Sequence, residues 1–510
     1  MKKRSSGILM HITSLPGEFG IGTFGKSAYE FVDFLEETDQ TYWQILPLTT
    51  TSYGDSPYQS FSAVAGNLNL IDFELLSESG LLEKGDYEEV NFGDNKEKVD
   101  YELLFNARRP ILEKAVENTK QNSSILEEIE KFEQENTSWL PDYAEYMAIK
   151  ESFGYQSLNH WDEDIKRGEQ QARERYRAEL KDSIRYYTVT QYFFFKQWLE
   201  LKKYANEKGI KIIGDMPIYV SGDSVEMWTM PELFKIDENN ESLYVAGCPA
   251  DDFSPTGQLW GNPIYDWKKH KEQNYSWWVY RVQESFKIYD VLRIDHFKGF
   301  SDFWQIDRDA EDAVNGTWEE GPGIELFEKI KEQLGNLPII AENLGFIDAK
   351  AEKLLDDSGY PGMKILQFAF PDHDSLDLPH NYTANSAVSY THLTLPAYTG
   401  THDNDVVNGW YEKLSEDEQK LVAEYLNQRD DETITQAMIR GIHSSVSDYS
   451  IVTMQDLLDK DASSRMNVPS TVGGNWEWRM LAEDLTEEKK EFLKDLTNRY
   501  AREREGNDEI

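Results

Sequence analysis

Cysteine is almost absent from this chain of 510 residues, which contains Cys248 and no other. A single cysteine cannot form an intramolecular disulfide, and it cannot supply a cluster of thiolate ligands for a metal ion. Because chains without disulfides are typical of reducing compartments, we expect the protein to be cytoplasmic. Neither HxxxH nor CxxC spacing occurs in the sequence, so no metal site is predicted.

Long apolar runs are also missing. No segment has the ~18 apolar residues that are needed to cross a bilayer. The apolar segment near the beginning, Ile8–Leu15, faintly resembles a signal peptide, but His11 and Thr13 interrupt it and no small-residue cleavage site follows. We therefore interpret this segment as a buried strand and expect no membrane partner.

Basic residues are few compared with acidic ones. The sequence has 52 Lys and Arg against 94 Asp and Glu, which gives a formal net charge of -42 at pH 7. A field of this sign repels phosphate groups, so nucleic acids and anionic membranes are poor candidates for partners. A neutral polysaccharide is indifferent to the field. The same charge is compatible with a salty cell interior, although simple solubility explains it equally well.

Aromatic residues, in contrast, are plentiful, with 14 Trp, 28 Tyr and 24 Phe. Aromatic rings pack the cores of proteins, and they also form flat platforms on which sugar rings stack. The composition leaves both interpretations open. No P-loop and no GxGxxG motif after a strand occurs, so no nucleotide cofactor is predicted.

Eight short apolar runs end in polar or acidic residues, and most of them are separated by segments with helical spacing. Runs of this length fit strands that are buried on both faces of a parallel sheet. The alternation therefore predicts an α/β fold, a closed (β/α)8 TIM barrel. The runs are Ile8–Ser14, Trp43–Leu48, Lys211–Pro217, Val291–His296, Leu337–Asn343, Met363–Phe370, Tyr398–Asp403 and Ile451–Asp456. The helical segments include Ala28–Thr38, Phe193–Lys208, Ile324–Gln333 and Glu416–Asn427.

The spacing between the predicted strands is uneven. Far more residues separate the second strand from the third, and the third from the fourth, than a plain crossover needs. We interpret residues 1–510 as a single catalytic barrel with two large, mainly helical insertions, at about 50–205 and about 218–288. Barrel enzymes work at the carboxyl ends of their strands, so we expect these insertions to lie over that face and to wall a substrate groove.

Three acidic residues, Asp295, Glu342 and Asp403, stand at or just beyond the ends of predicted strands. In a barrel they would point into one pocket, and retaining cleavage of a glycosidic bond needs two such carboxyl groups. Each residue also has a simpler explanation, because an Asp at a strand end is often only a helix N-cap. Arg293 could form a structural ion pair, and the neighbouring histidines could be ordinary core residues.

The motifs resemble the signature regions of the α-amylase superfamily, and the surrounding sequence is similar to the amylomaltase (4-α-glucanotransferase) family over about residues 7 to 496. The four superfamily regions are Gly214–Val220, Arg293–His296, Ala341–Asn343 and Thr401–Asn404. The segments typical of amylomaltases are Gly20–Gly22, Gly54–Gln59, Gly257–Pro263 and Arg465–Pro469. Motifs of this length in this order are highly specific.

The resemblance implies a role for each matching residue. Asp295 would be the nucleophile, Glu342 the general acid and base with a raised pKa, and Asp403 the carboxylate that binds the distorted sugar. Arg293 would orient Asp295 and keep it ionised. The other implied substrate-binding residues are Tyr58, Asp215, Trp260, His296 and His402, of which Tyr58 and Trp260 would stack against glucose rings, although ordinary packing is the alternative for both.

The resemblance also implies the reaction, a retaining transfer of α-1,4-glucan segments from a donor maltooligosaccharide or glucan to glucose or another glucan. An α-1,4-glucan hydrolase with the same carboxylates is the alternative, and a non-catalytic glucan-binding barrel is a third. The C-terminal β-sandwich domain of amylases is not expected, because no room for it follows Arg479. No cofactor is expected, and the assembly would be a monomer or weak homodimer.

The segment Val388–Ala397 departs from the family pattern, because amylomaltases run almost directly from one flank of it to the other. It resembles a translated sequencing adapter, and our hypothesis is that it is an artefactual insertion. A genuine surface loop on the non-catalytic side of the barrel is the alternative. If the residues are real, the seventh strand could start late, which bears on the placement of Asp403.

Overall fold

Twelve strands are present in the computed structural model, which describes residues 4–250, 256–345, 348–370, 378–382 and 395–504. They are β1 (Ser5–Leu9), β2 (Tyr42–Gln44), β3 (Lys211–Met216), β4 (Tyr244–Cys248), β5 (Gln258–Pro263), β6 (Val291–Ile294), β7 (Asp302–Asp307), β8 (Gly316–Glu320), β9 (Ile339–Ala341), β10 (Lys364–Ile365), β11 (Pro396–Tyr398) and β12 (Tyr449–Thr453).

Eight of these strands form one parallel sheet in the order β10-β11-β12-β1-β2-β3-β6-β9. Two hydrogen bonds link β9 and its flank to the segment just before β10: the Ala341 N–H donates to the Pro361 carbonyl at 2.8 Å, and the Met363 N–H donates to Asn343 Oδ1 at 2.6 Å. The two ends of the sheet are therefore connected. The eight-stranded parallel sheet agrees with the predicted α/β barrel, and each of its strands lies within or overlaps one of the eight predicted runs.

The interior of the barrel is filled by buried side chains from seven of the eight strands or their immediate flanks, and the partly buried Val291 of β6 packs against them, as parallel strands buried on both faces require. One polar pair interrupts this apolar cluster, since the Tyr398 hydroxyl donates to Gln44 Oε1 at 2.8 Å. The buried cluster consists of Leu9, Tyr42, Ile213, Ile340, Met363, Ile365, Tyr398 and Ile451.

Helices surround the sheet, and several begin where the sequence supplies a cap. Ser415 and Glu418 form a capping box at the start of the helix Glu416–Leu426, and Thr433 and Gln436 form another at the start of the helix Ile434–Ser444. The helices are α1 (Lys26–Glu37), α2 (Phe73–Glu78), α3 (Tyr101–Asn118), α4 (Ser123–Glu135), α5 (Leu140–Ser152), α6 (Glu163–Lys166), α7 (Gln170–Glu179), α8 (Lys181–Glu207), α9 (Val225–Thr229), α10 (Trp267–Glu272), α11 (Ser276–Ile288), α12 (Ile324–Leu334), α13 (Ala349–Ser358), α14 (Val407–Lys413), α15 (Glu416–Leu426), α16 (Ile434–Ser444), α17 (Met454–Leu457) and α18 (Glu487–Arg499).

A second sheet was not expected from the sequence. Four antiparallel strands pair in the order β5-β4-β7-β8. Two of them, β4 and β5, lie inside the range 218–288, which we had interpreted as mainly helical, and β7 and β8 follow the fourth barrel strand. One face of this sheet packs on the body of the protein through Phe303, while Trp304 and Trp318 form a cross-strand pair on the other. These strands are short and rich in polar residues, so their apolar pattern is weak.

Some barrel strands are shorter than the apolar runs that predicted them. β1 ends at Leu9, and a 3-10 turn at Ile12–Ser14 follows; β10 ends at Ile365, before a 3-10 turn at Leu366–Ala369. The runs remain buried but bend, because the chain leaves the sheet where the loops of the carboxyl edge begin.

The suspected insertion 388–397 falls only partly on described residues, because positions 388–394 lie outside them. Its last two residues belong to β11, where Pro396 pairs with Tyr449 and Ala397 pairs with Ser450. The seventh barrel strand therefore includes residues that we had suspected to be foreign. Whether the segment is an artefact stays a hypothesis.

The division of the chain into a barrel with insertions at about 50–205 and 218–288 also stays a prediction. In the first range lie α2 to α7 and most of α8, and in the second lie α9, α10 and α11. After the last barrel strand, α18 packs against α1 and α16. Among the described helices, none has the length and apolar composition of a transmembrane span.

Candidate active site

Three acidic side chains stand at one edge of the parallel sheet. Asp295 directly follows β6, Glu342 directly follows β9, and Asp403 lies beyond the end of β11. Strands β6 and β9 are neighbours in the sheet. Since catalytic residues of barrel enzymes come from the carboxyl ends of the strands, this edge is the candidate active site. None of the three caps a described helix: the turn after β6 is capped at His296 and α14 at Val406.

A buried arginine joins two of the barrel strands. Arg293 in β6 pairs with Asp215 in β3, and its Nη1 donates to both oxygens of Asp215, at 2.6 and 2.7 Å. The same nitrogen donates to Asp295 Oδ1 at 2.9 Å. Arg293 is only 2% exposed, so little water screens its charge. One cation therefore orients the carboxylate of Asp295 and holds Asp215 beneath it.

Glu342 is buried and is held by the backbone. Its Oε2 accepts the His296 N–H at 2.8 Å, and its Oε1 accepts the Leu344 N–H at 2.5 Å. Burial raises the pKa of Glu342 from 4.5 to about 7, and the negative charge of Asp295 adds to this rise while Arg293 and the two backbone bonds oppose it. A carboxyl group of this kind can both give and take a proton near neutral pH.

Asp403 has a different environment. Its Oδ2 lies 3.3 Å from His402 Nε2, and its Oδ1 accepts the Asn467 side-chain N–H at 2.6 Å. Burial alone would raise the pKa of Asp403, but the charge of His402 and the hydrogen bonds from His402 and Asn467 outweigh burial and hold the pKa well below its ordinary value. Asp403 is therefore ionised at neutral pH, unlike Glu342.

The two histidines also differ. Burial lowers the pKa of His296 to about 4, so this imidazole is neutral near pH 7. Burial would lower the pKa of His402 as well, but the charge of Asp403 and its hydrogen bond raise that pKa above its ordinary value. His402 therefore carries part of a positive charge beside Asp403, and His296 does not.

His296 has a left-handed backbone conformation, with φ 50° and ψ 52°. Such a conformation costs free energy for a residue with a side chain and persists where the surroundings enforce it. Here it directs the backbone N–H to Glu342, while the imidazole meets the indole of Trp260 edge to face, with ring centroids 4.8 Å apart. The strain thus places one residue against both the carboxyl group and the aromatic wall.

Trp260 lies in β5 and is half-buried. Its indole N–H donates to Gln258 Oε1 at 3.1 Å, and its backbone carbonyl accepts the Gln59 side-chain N–H at 3.1 Å. Gly261, the next residue, has φ 75°, a conformation that favours glycine, and β4 and β5 show a bulge at this level. The bulge and the glutamine fix the indole at the edge of the second sheet that faces the site.

Tyr58 contacts both Asp215, which pairs with Arg293, and His402, which lies beside Asp403. Its hydroxyl donates to Asp215 Oδ2 at 2.9 Å, and its ring stacks on His402 with centroids 5.1 Å apart and an angle of 16° between the planes. Trp476 packs on the same pair, 5.7 Å from Tyr58 and 5.9 Å from His402. Burial raises the pKa of the Tyr58 hydroxyl well above its ordinary value, and the charge of Asp215 adds to this, so the group acts as a donor.

The structure brings together every site residue that was predicted from the sequence. They form one continuous network of ion pairs, hydrogen bonds, ring contacts and adjoining positions. Their roles in a reaction stay predictions on geometry alone. The residues of this network are Tyr58, Asp215, Trp260, Arg293, Asp295, His296, Glu342, His402 and Asp403.

Sequence reasoning did not assign a role to the residues that hold this network in place. Asn467 and Arg465 contact Asp403, and Gln59 anchors Trp260. The sequence did contain a signal for them, because all three lie in segments that resemble amylomaltases. The signal did not say which neighbour each side chain contacts, since the partners are far apart in the sequence.

Comparisons with known proteins agree with one another. The profile of glycoside hydrolase family 77, described as 4-alpha-glucanotransferase, matches residues 10–485. The 4-alpha-glucanotransferase of Streptococcus pneumoniae is 54% identical over 98% of this chain and 98% of its own length. That of Clostridium butyricum is 49% identical, over 97% of this chain and 100% of its own length.

The solved structures include an amylomaltase from Streptococcus agalactiae in complex with acarbose. It superposes with a TM-score of 0.95 at 58% identity and covers 98% of this chain and 100% of its own. An amylomaltase from Corynebacterium glutamicum, at 17% identity and a TM-score of 0.76, shares the fold; the match covers 98% of this chain and 75% of that one.

Proposed function

The chain belongs to the 4-alpha-glucanotransferase family, and from this premise we propose that its nine site residues transfer α-1,4-glucan segments by a retaining double displacement. The enzyme acts on α-1,4-glucans and maltooligosaccharides. The observation that carries the proposed mechanism is the pair of carboxyl groups at the ends of β6 and β9, of which one binds Arg293 and the other has a pKa of about 7. Retaining cleavage needs a nucleophile and a proton donor of these two kinds.

Asp295 is the nucleophile in this proposal. One oxygen of its carboxylate is bound by Arg293, which leaves the second oxygen to attack the anomeric carbon of the donor sugar. The attack forms a covalent glycosyl–enzyme bond and breaks the glycosidic bond. Asp215 accepts hydrogen bonds from both Arg293 and the Tyr58 hydroxyl. These bonds fix Arg293, which in turn keeps the nucleophile oriented.

Glu342 supplies the proton. In its neutral form it protonates the leaving oxygen of the donor chain and becomes a carboxylate. It then accepts the proton of the incoming 4-hydroxyl, which attacks the intermediate and restores the α linkage. The backbone N–H groups of His296 and Leu344 stabilise the carboxylate form between the two steps.

Asp403 remains charged throughout and binds hydroxyls of the sugar in the site, where its charge stabilises the oxocarbenium-like transition state. His402 and His296 bind further hydroxyls. Tyr58 and Trp260 offer ring faces to glucose units on either side of the bond that is broken. The S. agalactiae relative was solved with acarbose, and we propose that this chain binds the same inhibitor at the same edge of the barrel.

Transfer is favoured over hydrolysis when an acceptor sugar reaches the intermediate before water does. Trp260 stands over the site from the second sheet, fixed by Gln59 and in contact with His296. A ring held there can stack on an acceptor glucose and exclude water from the intermediate. We propose glucose or the 4-hydroxyl end of another glucan as the acceptor.

Several finer expectations stay predictions. A cytoplasmic location rests on the single cysteine, and the expectation that nucleic acids and membranes are not partners rests on the net charge of -42. We propose a monomer or weak homodimer, and we propose that the segments at about 50–205 and 218–288 wall the substrate groove.

The test is incubation of the purified protein with maltotriose alone, with the products separated by chromatography. Transfer yields glucose together with maltotetraose, maltopentaose and longer chains, and the Asp295→Asn variant yields none of them. Glucose and maltose without longer chains would show hydrolysis and refute the transfer reaction. Wild-type product formation by the Asp295→Asn variant would refute the assignment of the nucleophile.

A further inference from the structure

The carboxylate of Asp403 is held on both of its oxygens. His402 Nε2 lies 3.3 Å from Oδ2, and the side-chain amide of Asn467 donates to Oδ1 at 2.6 Å. Asp403 itself lies in a loop beyond β11, and its side chain is 42% exposed. A carboxylate on a loop can rotate about its side-chain torsions unless neighbours prevent it. The two donors, on opposite oxygens, determine the plane of this carboxylate.

The segment 465–467, which carries Asn467, also donates hydrogen bonds to the backbone carbonyls of residues 402 and 403. The Asn467 N–H donates to the His402 carbonyl at 3.1 Å, and Arg465 Nη2 donates to the Asp403 carbonyl at 2.6 Å. The same guanidinium binds the Asn467 carbonyl through Nε at 2.7 Å. Main chain and side chain of the loop with Asp403 are thus tied to a single three-residue segment.

This segment has its own support. The Trp476 N–H donates to the Met466 carbonyl at 2.7 Å, and Asn475 Oδ1 accepts the Val468 N–H at 2.9 Å. These bonds close residues 466–476 into a loop, and Trp476 then packs on Tyr58 and His402. The neighbours of Asn467 on both sides are therefore held by bonds within residues 466–476, in addition to the bonds that reach residues 402 and 403.

We infer that Asn467 is a positioning residue for Asp403: its amide holds Oδ1 so that the carboxylate faces the sugar. The same hydrogen bond contributes to the lowered pKa of Asp403. The inference rests on the proposed role of Asp403 in the reaction. A neutral amide is suited to this task because it offers a hydrogen bond to a carboxylate without competing for its proton.

The test compares four full-length variants by kcat, KM and pH dependence with maltotriose. Asn467→Ala should lower kcat by about 10- to 100-fold with a smaller change in KM, because the carboxylate is then free to turn away. Asn467→Asp places a second carboxylate next to that of Asp403, and the two groups then share a proton. The pH below which kcat/KM falls should therefore rise by roughly one unit.

Asn475→Ala is the matched control, since it loosens the same loop without contacting Asp403. The fourth variant, Asp403→Asn, tests the proposed role of Asp403 itself.

A merely structural role would give a different pattern. Asn475→Ala should lower Tm but leave the acidic limb where the wild type has it. An unchanged kcat in Asn467→Ala, or an unmoved acidic limb in Asn467→Asp, would overturn the inference. The second variant is isosteric and carries the test if the alanine variant does not fold. Full activity in Asp403→Asn would instead refute the proposed role of Asp403, so the two failures are distinguishable.

Discussion

Among single residues, Glu342 and Asp403 show how two carboxyl groups of one site acquire opposite properties. Both lie at the same edge of the sheet. Glu342 is 9% exposed and accepts the backbone N–H groups of His296 and Leu344, and burial dominates and raises its pKa to about 7. Asp403 faces the imidazole of His402 and the amide of Asn467, which hold its pKa below the ordinary value. The difference comes from the nearest donors and charges.

The raised pKa of Glu342 predicts how activity depends on pH. The free enzyme needs this group protonated, so kcat/KM for maltotriose should fall as the pH rises through about 7. The profile is measured between pH 5 and 9, with Tm recorded at each pH to show that the protein stays folded. A value of kcat/KM that stays constant to pH 9 would contradict the assignment of Glu342 as the acid.

The same shift has a consequence for stability. The ordinary pKa of this group is 4.5 and its value in the folded protein is about 7, so between these values the folded state keeps a proton that the unfolded chain has lost. The stabilising contribution of the protonated group is complete below about 4.5 and is lost as the pH rises through about 7. Replacing Glu342 by Gln should remove this part of the pH dependence.

At the scale of elements, the two edge strands of the second sheet each carry a tryptophan in a different environment. Strand β5 carries Trp260 to the site, where the indole contacts His296. Strand β8 forms the other edge and carries Trp318, which is 43% exposed. The Lys298 ammonium lies 4.5 Å from the ring centre of Trp318. The sheet therefore presents one tryptophan to the candidate active site and another to solvent.

Removing the indole of Trp260 should shift the reaction from transfer towards hydrolysis. In Trp260→Ala we expect the rate of transfer to fall by about 10-fold, because an aromatic contact to the acceptor ring is lost, and the share of free glucose to rise as water gains access. The balance between transfer and hydrolysis is measured with maltotriose, as the ratio of maltotetraose and longer products to free glucose.

Trp318→Ala provides the matched control, because it removes an indole from the same sheet at the opposite edge. It should leave the product ratio at the wild-type value. Equal ratios in both variants would show that Trp260 does not select the acceptor.

At the scale of the whole molecule, Arg502 ties the end of the described chain to its beginning. Its guanidinium is 0% exposed. It donates to the carbonyls of Ser5 at 3.0 Å, His443 at 2.8 Å and Ser447 at 2.9 Å. These carbonyls lie in the first barrel strand, in the last turn of α16 and in the segment between α16 and β12, so one side chain joins elements from both ends of the sequence.

Replacing Arg502 by Met should destabilise the protein by about 3–5 kcal/mol, because the buried carbonyls of Ser5, His443 and Ser447 each lose a donor at once. Thermal or denaturant unfolding measures the loss. Arg499→Met is the matched control: this arginine is 44% exposed and pairs with Asp495 on the surface of α18. It should cost less than about 1 kcal/mol. Similar losses in the two variants would contradict the structural role of Arg502.

The sequence by itself predicted the barrel type, and it predicted nine candidate site residues that the structure brings together at one edge of the sheet, with their roles still a proposal. Both depend on local patterns: an apolar run that ends in an acidic residue, such as Val291–His296, predicts a buried strand and places its carboxylate at the strand's end. The resemblance to amylomaltases rests on the same local segments. A pattern of this kind lies within a few consecutive residues, so it predicts the strand without knowledge of the path of the rest of the chain.

The tertiary structure decided the contacts between distant residues. Asn467 meets Asp403 across 64 positions, and Tyr58 meets Asp215 across 157. Such pairs depend on the path of the whole chain, and no local pattern encodes them. The second sheet was missed because the apolar alternation of its strands is weak. The resemblance had implied a raised pKa for Glu342, but the lowered pKa of Asp403 followed only from the structure, since it depends on the neighbouring His402 and Asn467 of the folded site.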